Sequence, residues 1–172
     1  MASFTSTPAA APPLPAAADT ASATRLAALE ERLSALEDQA QLTALIDRFV
    51  HGLDNPGPLT EAWYRTLLTE QVRLNLPNGT HAGITGLPEF LAAPKAFFAG
   101  NQHYATNCAV DIDGDHATAH ANLHAIHIPL DDSAPLFTGG AHYDVRAERT
   151  PDGWRIAELT VSVLWTAQGV RG

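Results

Sequence analysis

From residue 102 onward the chain is almost wholly alternating. Apolar and polar side chains trade places at successive positions over residues 102–112, 115–129, 136–149 and 154–165. A period of two puts neighbouring side chains on opposite faces of a strand. The separators "DGD", "DDSAP" and "TPDG" are short and rich in turn formers. Four such segments in succession predict an antiparallel meander.

Helical patterns come first. In "TRLAALEERLSALEDQAQLTALIDRFVHGLD", Leu26, Leu29, Leu33, Leu36 and Ala40 recur at steps of three and four. Leu42, Leu45, Ile46, Phe49, Val50 and Leu53 carry the apolar face on, shifted in phase. Thr24 is positioned to cap the start, and "DNPGP" at 54–58 stops the helix. Two readings fit its first half, residues 25–40: a coiled-coil seam with a partner chain, or a helix lying on the chain's own sheet. A second helix is predicted over 58–70 with Pro58 in its first turn. A hairpin follows, with Val72, Leu74 and Leu76 alternating ahead of "NG" at 78–79. A third helical region, 85–100, is interrupted by Pro88 and Pro94. Helices followed by antiparallel strands make an α+β protein, with a curved sheet able to cup a cavity against the helices.

The bulk numbers bound the function. A length of 172 residues suits one domain, read as 25–172. Residues 1–24, rich in Ala, Pro, Ser and Thr, read as a disordered tail. A net charge of -9, with Lys95 the only lysine, argues against nucleic acid as a partner. No run approaches the ~20 apolar residues of a membrane span, so no membrane partner is expected. Cys108 is the single cysteine, which excludes an intrachain disulfide and fits a reducing, cytoplasmic setting.

Alternation sorts the polar residues. In "HATAHANLHAIHIPL", Ala119, Ala121, Leu123, Ala125 and His127 share one face, small and apolar until its last member. His116, His120 and His124 belong to the other. The histidine-rich run does not make a metal site: on a strand, His120 and His124 stand roughly 13 Å apart, too far to share an ion. No metal and no cofactor are expected. Asp54 ends the first helix, where the helix terminus already carries negative partial charge. A carboxylate kept there calls for a partner. A histidine supplies one, and the carboxylate in turn fixes the ring's tautomer and makes a general base. His103, opening a strand in "NQHYATN", is the candidate.

The runs "LEDQAQLTALIDRFVHGLDN", "LLTEQVRLNLPNGTHAGITGLPEFL", "NQHYATN", "GGAHYDVRAERTPDGWRI" and "LTVSVLW" resemble the SnoaL-like branch of the nuclear transport factor 2-like superfamily, over residues 36–166. The subgroup they resemble holds scytalone dehydratase and hexachlorocyclohexane dehydrochlorinase. Its pattern is an aspartate ending the first helix and a histidine in a "HY" or "HF" step, matched by Asp54 and His103. The resemblance implies a cone-shaped α+β barrel with a buried pocket, His103 as base and Asp54 as its orienting group. It also implies His127 as a general acid on a leaving hydroxyl. His142 and Asp144 match the strand positions that line the pocket, and Tyr64 and Tyr104 are the candidates for the family's tyrosines, since Leu53 stands where one is expected. Arg149 corresponds to a strand arginine of the dehydrochlorinase, while that enzyme's helix lysine has no match. Trp63 is a candidate wall of the pocket.

The function expected is a cofactor-independent lyase of the dehydratase kind, acting on a small, largely apolar molecule. A polyketide or other natural-product cyclase, or an isomerase, would use the same two residues. A non-catalytic ligand-binding or oligomerisation module, or the small subunit of an oxygenase, is the reading from a different class. The chain is expected to be a homo-oligomer, dimer or trimer.

Overall fold

A computed structural model describes residues 16–169, apart from Pro56 and Pro58. The chain divides into two compact units, Met1–Glu37 and Asp38–Gly172. Helix α1 (Ala16–Asp54) runs through the division.

In the first unit the described residues are all helical. The helix therefore begins well before Thr24, and the tail expected to be disordered over 1–24 is helical from residue 16; residues 1–15 lie outside the described residues. The run "AAADTASAT" explains the difference, because alanine has the highest intrinsic helix propensity. Thr24 is not a cap. Its hydroxyl donates to the carbonyl of Thr20 at 2.9 Å, a bond internal to the helix.

In the second unit α1 buries Asp38, Leu42, Leu45, Ile46, Phe49 and Val50, which recur at helical spacing. The predicted helix over 58–70 contracts to α2 (Glu61–Arg65), capped by Thr60, whose hydroxyl accepts from the Trp63 N–H at 3.2 Å. It stops there because Leu67 and Leu68 are drawn into the core as strand β1 (Leu68–Leu76) begins. Gly52, in the last turn of α1, allows this packing: a Cβ there would lie 2.5 Å from the Trp63 ring. Strand β2 (Gly79–Ala82) completes the hairpin, whose turn is Pro77–Asn78, one residue earlier than the expected 78–79, with Gly79 paired to Leu76. The third helical region resolves into α3 (Leu87–Ala92) and a 3-10 turn (Ala93–Phe97), split at Pro94 as the ring's missing N–H requires.

The meander follows as β3 (Phe98–Asp113), β4 (His116–Pro129), β5 (Leu136–Thr150) and β6 (Gly153–Gly169). Sheet order is β2-β1-β6-β5-β4-β3, antiparallel except that β1 and β6 run parallel. Helix on a six-stranded, curved and mostly antiparallel sheet is the α+β architecture expected from the sequence. The sheet is open rather than closed into a barrel, with β2 and β3 as its edges.

The core lies between residues 38–54 of α1, the α2 and α3 region and one sheet face. On β4 that face is Ala117, Ala119, Ala121, Leu123 and Ala125, all buried. A bulge in β3 between Thr106 and Ala109, with Asn107 at φ 54°, reverses the alternation. His103 and Ala105 before it, and Cys108 and Val110 after it, consequently share the inner side.

A polar clamp ties α1 to the strand ends. Both Arg149 terminal nitrogens donate to the Asp38 carboxylate at 2.7 Å, and the Trp154 indole N–H donates to the same group at 2.9 Å. The Arg149 guanidinium also sits 4.3 Å from the Trp154 ring centre. Arg149, a candidate substrate contact from the sequence, is thus held by this clamp and does not line the hollow beside His103. No helix among the described residues is long and apolar enough to cross a membrane.

Candidate active site

The site starts from the end of α1. Gly52 and Asn55 present carbonyls at the helix C-terminus, and the Lys95 ammonium donates to them at 3.2 and 2.6 Å. A cation capping this end opposes the helix dipole and eases the cost of placing Asp54 there. Burial lowers the pKa of Lys95, and the Asp54 charge works against that shift.

Asp54 meets His103 as the sequence predicts. One carboxylate oxygen accepts from the His103 backbone N–H at 3.0 Å, and the other lies 2.6 Å from ring Nδ1. An ionised carboxylate only accepts, so the proton of the neutral ring sits on Nδ1 and Nε2 keeps its lone pair. No protein group among the described residues bonds to that Nε2. Because Asp54 holds both the backbone and the ring of one residue, it fixes the ring's position as well as its tautomer.

His103 lines a hollow of about 310 Å³ whose other walls are mostly apolar: Leu53, Leu76, Leu91, Phe98, Leu123, Phe137, Val161 and Val163 among them. Lys95, Asn101, His127 and Tyr143 supply the polar edges. His127 is placed on the hollow, as alternation along β4 predicts. Its ring centre is 5.4 Å from that of His103 and 4.7 Å from that of Phe98. Its Nδ1 lies 2.7 Å from the Asn101 side-chain oxygen, to which it donates. Burial is the main cause that lowers the His127 pKa, with His103 adding to it and Asp54 opposing. With Nδ1 donating to Asn101, the neutral ring leaves Nε2 as a hydrogen-bond acceptor.

Tyr143 is the residue the sequence reading missed. It is 1 % exposed and lines the hollow. Burial first, and the Asp54 charge second, raise its pKa well above that of an ordinary phenol. Its hydroxyl stays protonated and has no hydrogen-bond partner among the described residues, so it can donate to a guest. The signal was present in the strand pairing: Tyr143 stands opposite Ala121, an inward position.

The same pairing removes His142 and Asp144 from the site. They stand opposite Asn122 and His120, on the other face of the sheet. Asp144 bonds the His120 ring at 2.9 Å in an exposed pair, and His142 packs edge-on to His120 at 4.8 Å. Tyr104 is on that outer face too, stacked on His124 at 6.3 Å. Tyr64 is buried in the core beside Trp63, which covers Gly52 away from the hollow. Among the described residues no group of three or more His, Cys, Asp or Glu side chains is placed to hold a metal ion.

Comparison with known proteins agrees with this architecture. The SnoaL-like domain family matches residues 34–160. No curated protein matches the sequence. Solved structures do. A provisionally named scytalone dehydratase from Novosphingobium aromaticivorans superposes with TM-score 0.67 at 18% identity, covering 84% of this chain and 94% of that one. A hexachlorocyclohexane dehydrochlorinase of type 2 gives TM-score 0.71 at 16% identity, covering 80% of this chain and 92% of the other. A nuclear transport factor 2-like superfamily protein from Salmonella enterica gives 0.64 at 16% identity, covering 80% and 94%. At these identities the likeness is one of fold.

Proposed function

The chain belongs to the SnoaL-like domain family, and from that premise we propose that it is a cofactor-independent general acid/base enzyme acting on a small, largely apolar molecule. The observation that carries this reading is the double hold of Asp54 on His103, at 2.6 and 3.0 Å, beside an apolar hollow. The pair is built to move a proton. His103 Nε2 takes a proton from a carbon of the guest, and Asp54 steadies the imidazolium that forms. The electron pair left behind forms a double bond and expels a hydroxyl from the neighbouring carbon. Tyr143 donates a hydrogen bond to the departing oxygen. The imidazolium then returns its proton to that oxygen, so one water leaves and the enzyme is unchanged. The scarcity of polar walls favours a guest with few charges and makes the buried pair more effective.

A second reading has its own observation. With His127 Nδ1 donating to Asn101, Nε2 is left as an acceptor, and the hollow is lined by two imidazoles and one phenol. That suits a base returning the proton to a different atom of the same molecule, as in isomerisation or ring closure. The test is incubation with hydroxylated polycyclic and polyketide compounds, followed by mass spectrometry. Loss of the mass of water supports elimination, and a new product of unchanged mass supports rearrangement. If ligands bind but neither product forms, and His103→Gln binds them as wild type does, the protein is a binding module and the catalytic reading fails. An obligate partner chain copurifying with the protein would instead favour an oxygenase subunit.

A further inference from the structure

The first unit offers an apolar stripe with no use in the site just described. Leu26, Leu29, Leu33 and Leu36 are 58, 50, 57 and 64% exposed. They occupy the first and fourth places of two successive heptads, the spacing that keeps a narrow seam on one side of a helix. The stripe is not a continuation of the one that fills the core. Projecting the buried positions Asp38, Leu42 and Leu45 back along α1 reaches Glu31 and Ala35, and Glu31 is charged.

We propose that residues 22–37 pair with the same segment of a second copy of this chain as a parallel, two-stranded coiled coil. The charges flanking the seam select both the partner and its direction. Arg25 and Arg32 lie on one side of the leucines, and Glu30 and Glu37 on the other. In a parallel pair each arginine faces the glutamate five residues further along the other chain: Arg25 meets Glu30, and Arg32 meets Glu37. An antiparallel pair would set arginine against arginine and glutamate against glutamate, which is repulsive. The positions turned outward are Ala27, Ala28, Glu31, Ser34 and Ala35, small or polar as an outer surface requires. Two heptads alone would be marginal, but this segment is continuous with the later turns of α1, so the cost of nucleating the helix is already met.

The test is the mass of the full-length protein in solution across a concentration series. The wild type is expected to approach twice the chain mass. Arg25→Glu with Arg32→Glu is expected to halve it, as is Glu30→Arg with Glu37→Arg; mixing the two variants restores the double mass. Ser22→Cys, one full heptad ahead of Leu29 and so at the same place in the seam, is expected to give a covalent dimer on oxidation where the wild type gives none. All these side chains are exposed, so the domain keeps its fold in each variant. A wild type that stays at one chain mass at every concentration overturns the proposal. So does a trimer mass, a dimer indifferent to both charge reversals, or a dimer that Ser22→Cys fails to cross-link.

Discussion

His103 and Asp54 were legible as residues because each sits at a chemically odd place, an imidazole opening a core strand and a carboxylate at a helix C-terminus. His103→Gln is expected to lower turnover by about 10²–10⁴-fold, the usual worth of a general base, with ligand binding retained; a binding assay and initial rates check both halves. Tyr143→Phe removes a hydroxyl with no protein partner among the described residues. Thermal stability should therefore hold, while turnover falls by about 10²-fold, as for loss of one donor to a developing charge. His127 supplies a pH prediction. Its pKa is lowered in the fold, so the unfolded chain binds more protons in the window below about pH 6.5. Stability then falls as pH drops through that window. In His127→Gln the fall should be shallower, which denaturant titrations at pH 7 and pH 5 would measure. His142 and Asp144 were misplaced by one position. Adjacent residues of a strand face opposite ways, and the chain order alone does not say which of "AHYD" points inward.

Among the elements, the clamp at Asp38 has the clearest energetic consequence. Asp38 is 8 % exposed and accepts from Arg149 and Trp154 together. Asp38→Ala strands the buried indole N–H and should cost about 1–3 kcal/mol, read as a lower denaturant midpoint. The Arg149 hydrogen bond is the largest cause holding the Asp38 carboxyl below its ordinary value, with burial opposing it. That contribution is present above about pH 3.9 and disappears as pH falls through the lower folded value, so wild type and Asp38→Ala should converge in strong acid. Element types were readable from periodicity, while their lengths were not. α1 grew at its start because an alanine-rich run outweighed the compositional cue for disorder, and α2 shrank because Leu67 and Leu68 gained more as core. The β3 bulge at Asn107 left no mark in the sequence, since an extra residue in a strand shows only against its neighbour.

At the scale of the whole chain, the exposed leucine seam sets an expectation for assembly: a chain shortened to begin at Asp38 should run at one chain mass at concentrations where the full chain pairs, and light scattering distinguishes the two. The sequence by itself determined the order of helices and strands, the alternating faces of β4 and the pairing of Asp54 with His103, because periodicity and side-chain chemistry are local properties. Only the tertiary structure decided which face of β5 is inward, that Tyr143 and not His142 reaches the hollow, that Arg149 is held by Asp38, and that the His127 ring meets Asn101. Those outcomes depend on strand register and on partners distant in the chain, and no local pattern encodes either.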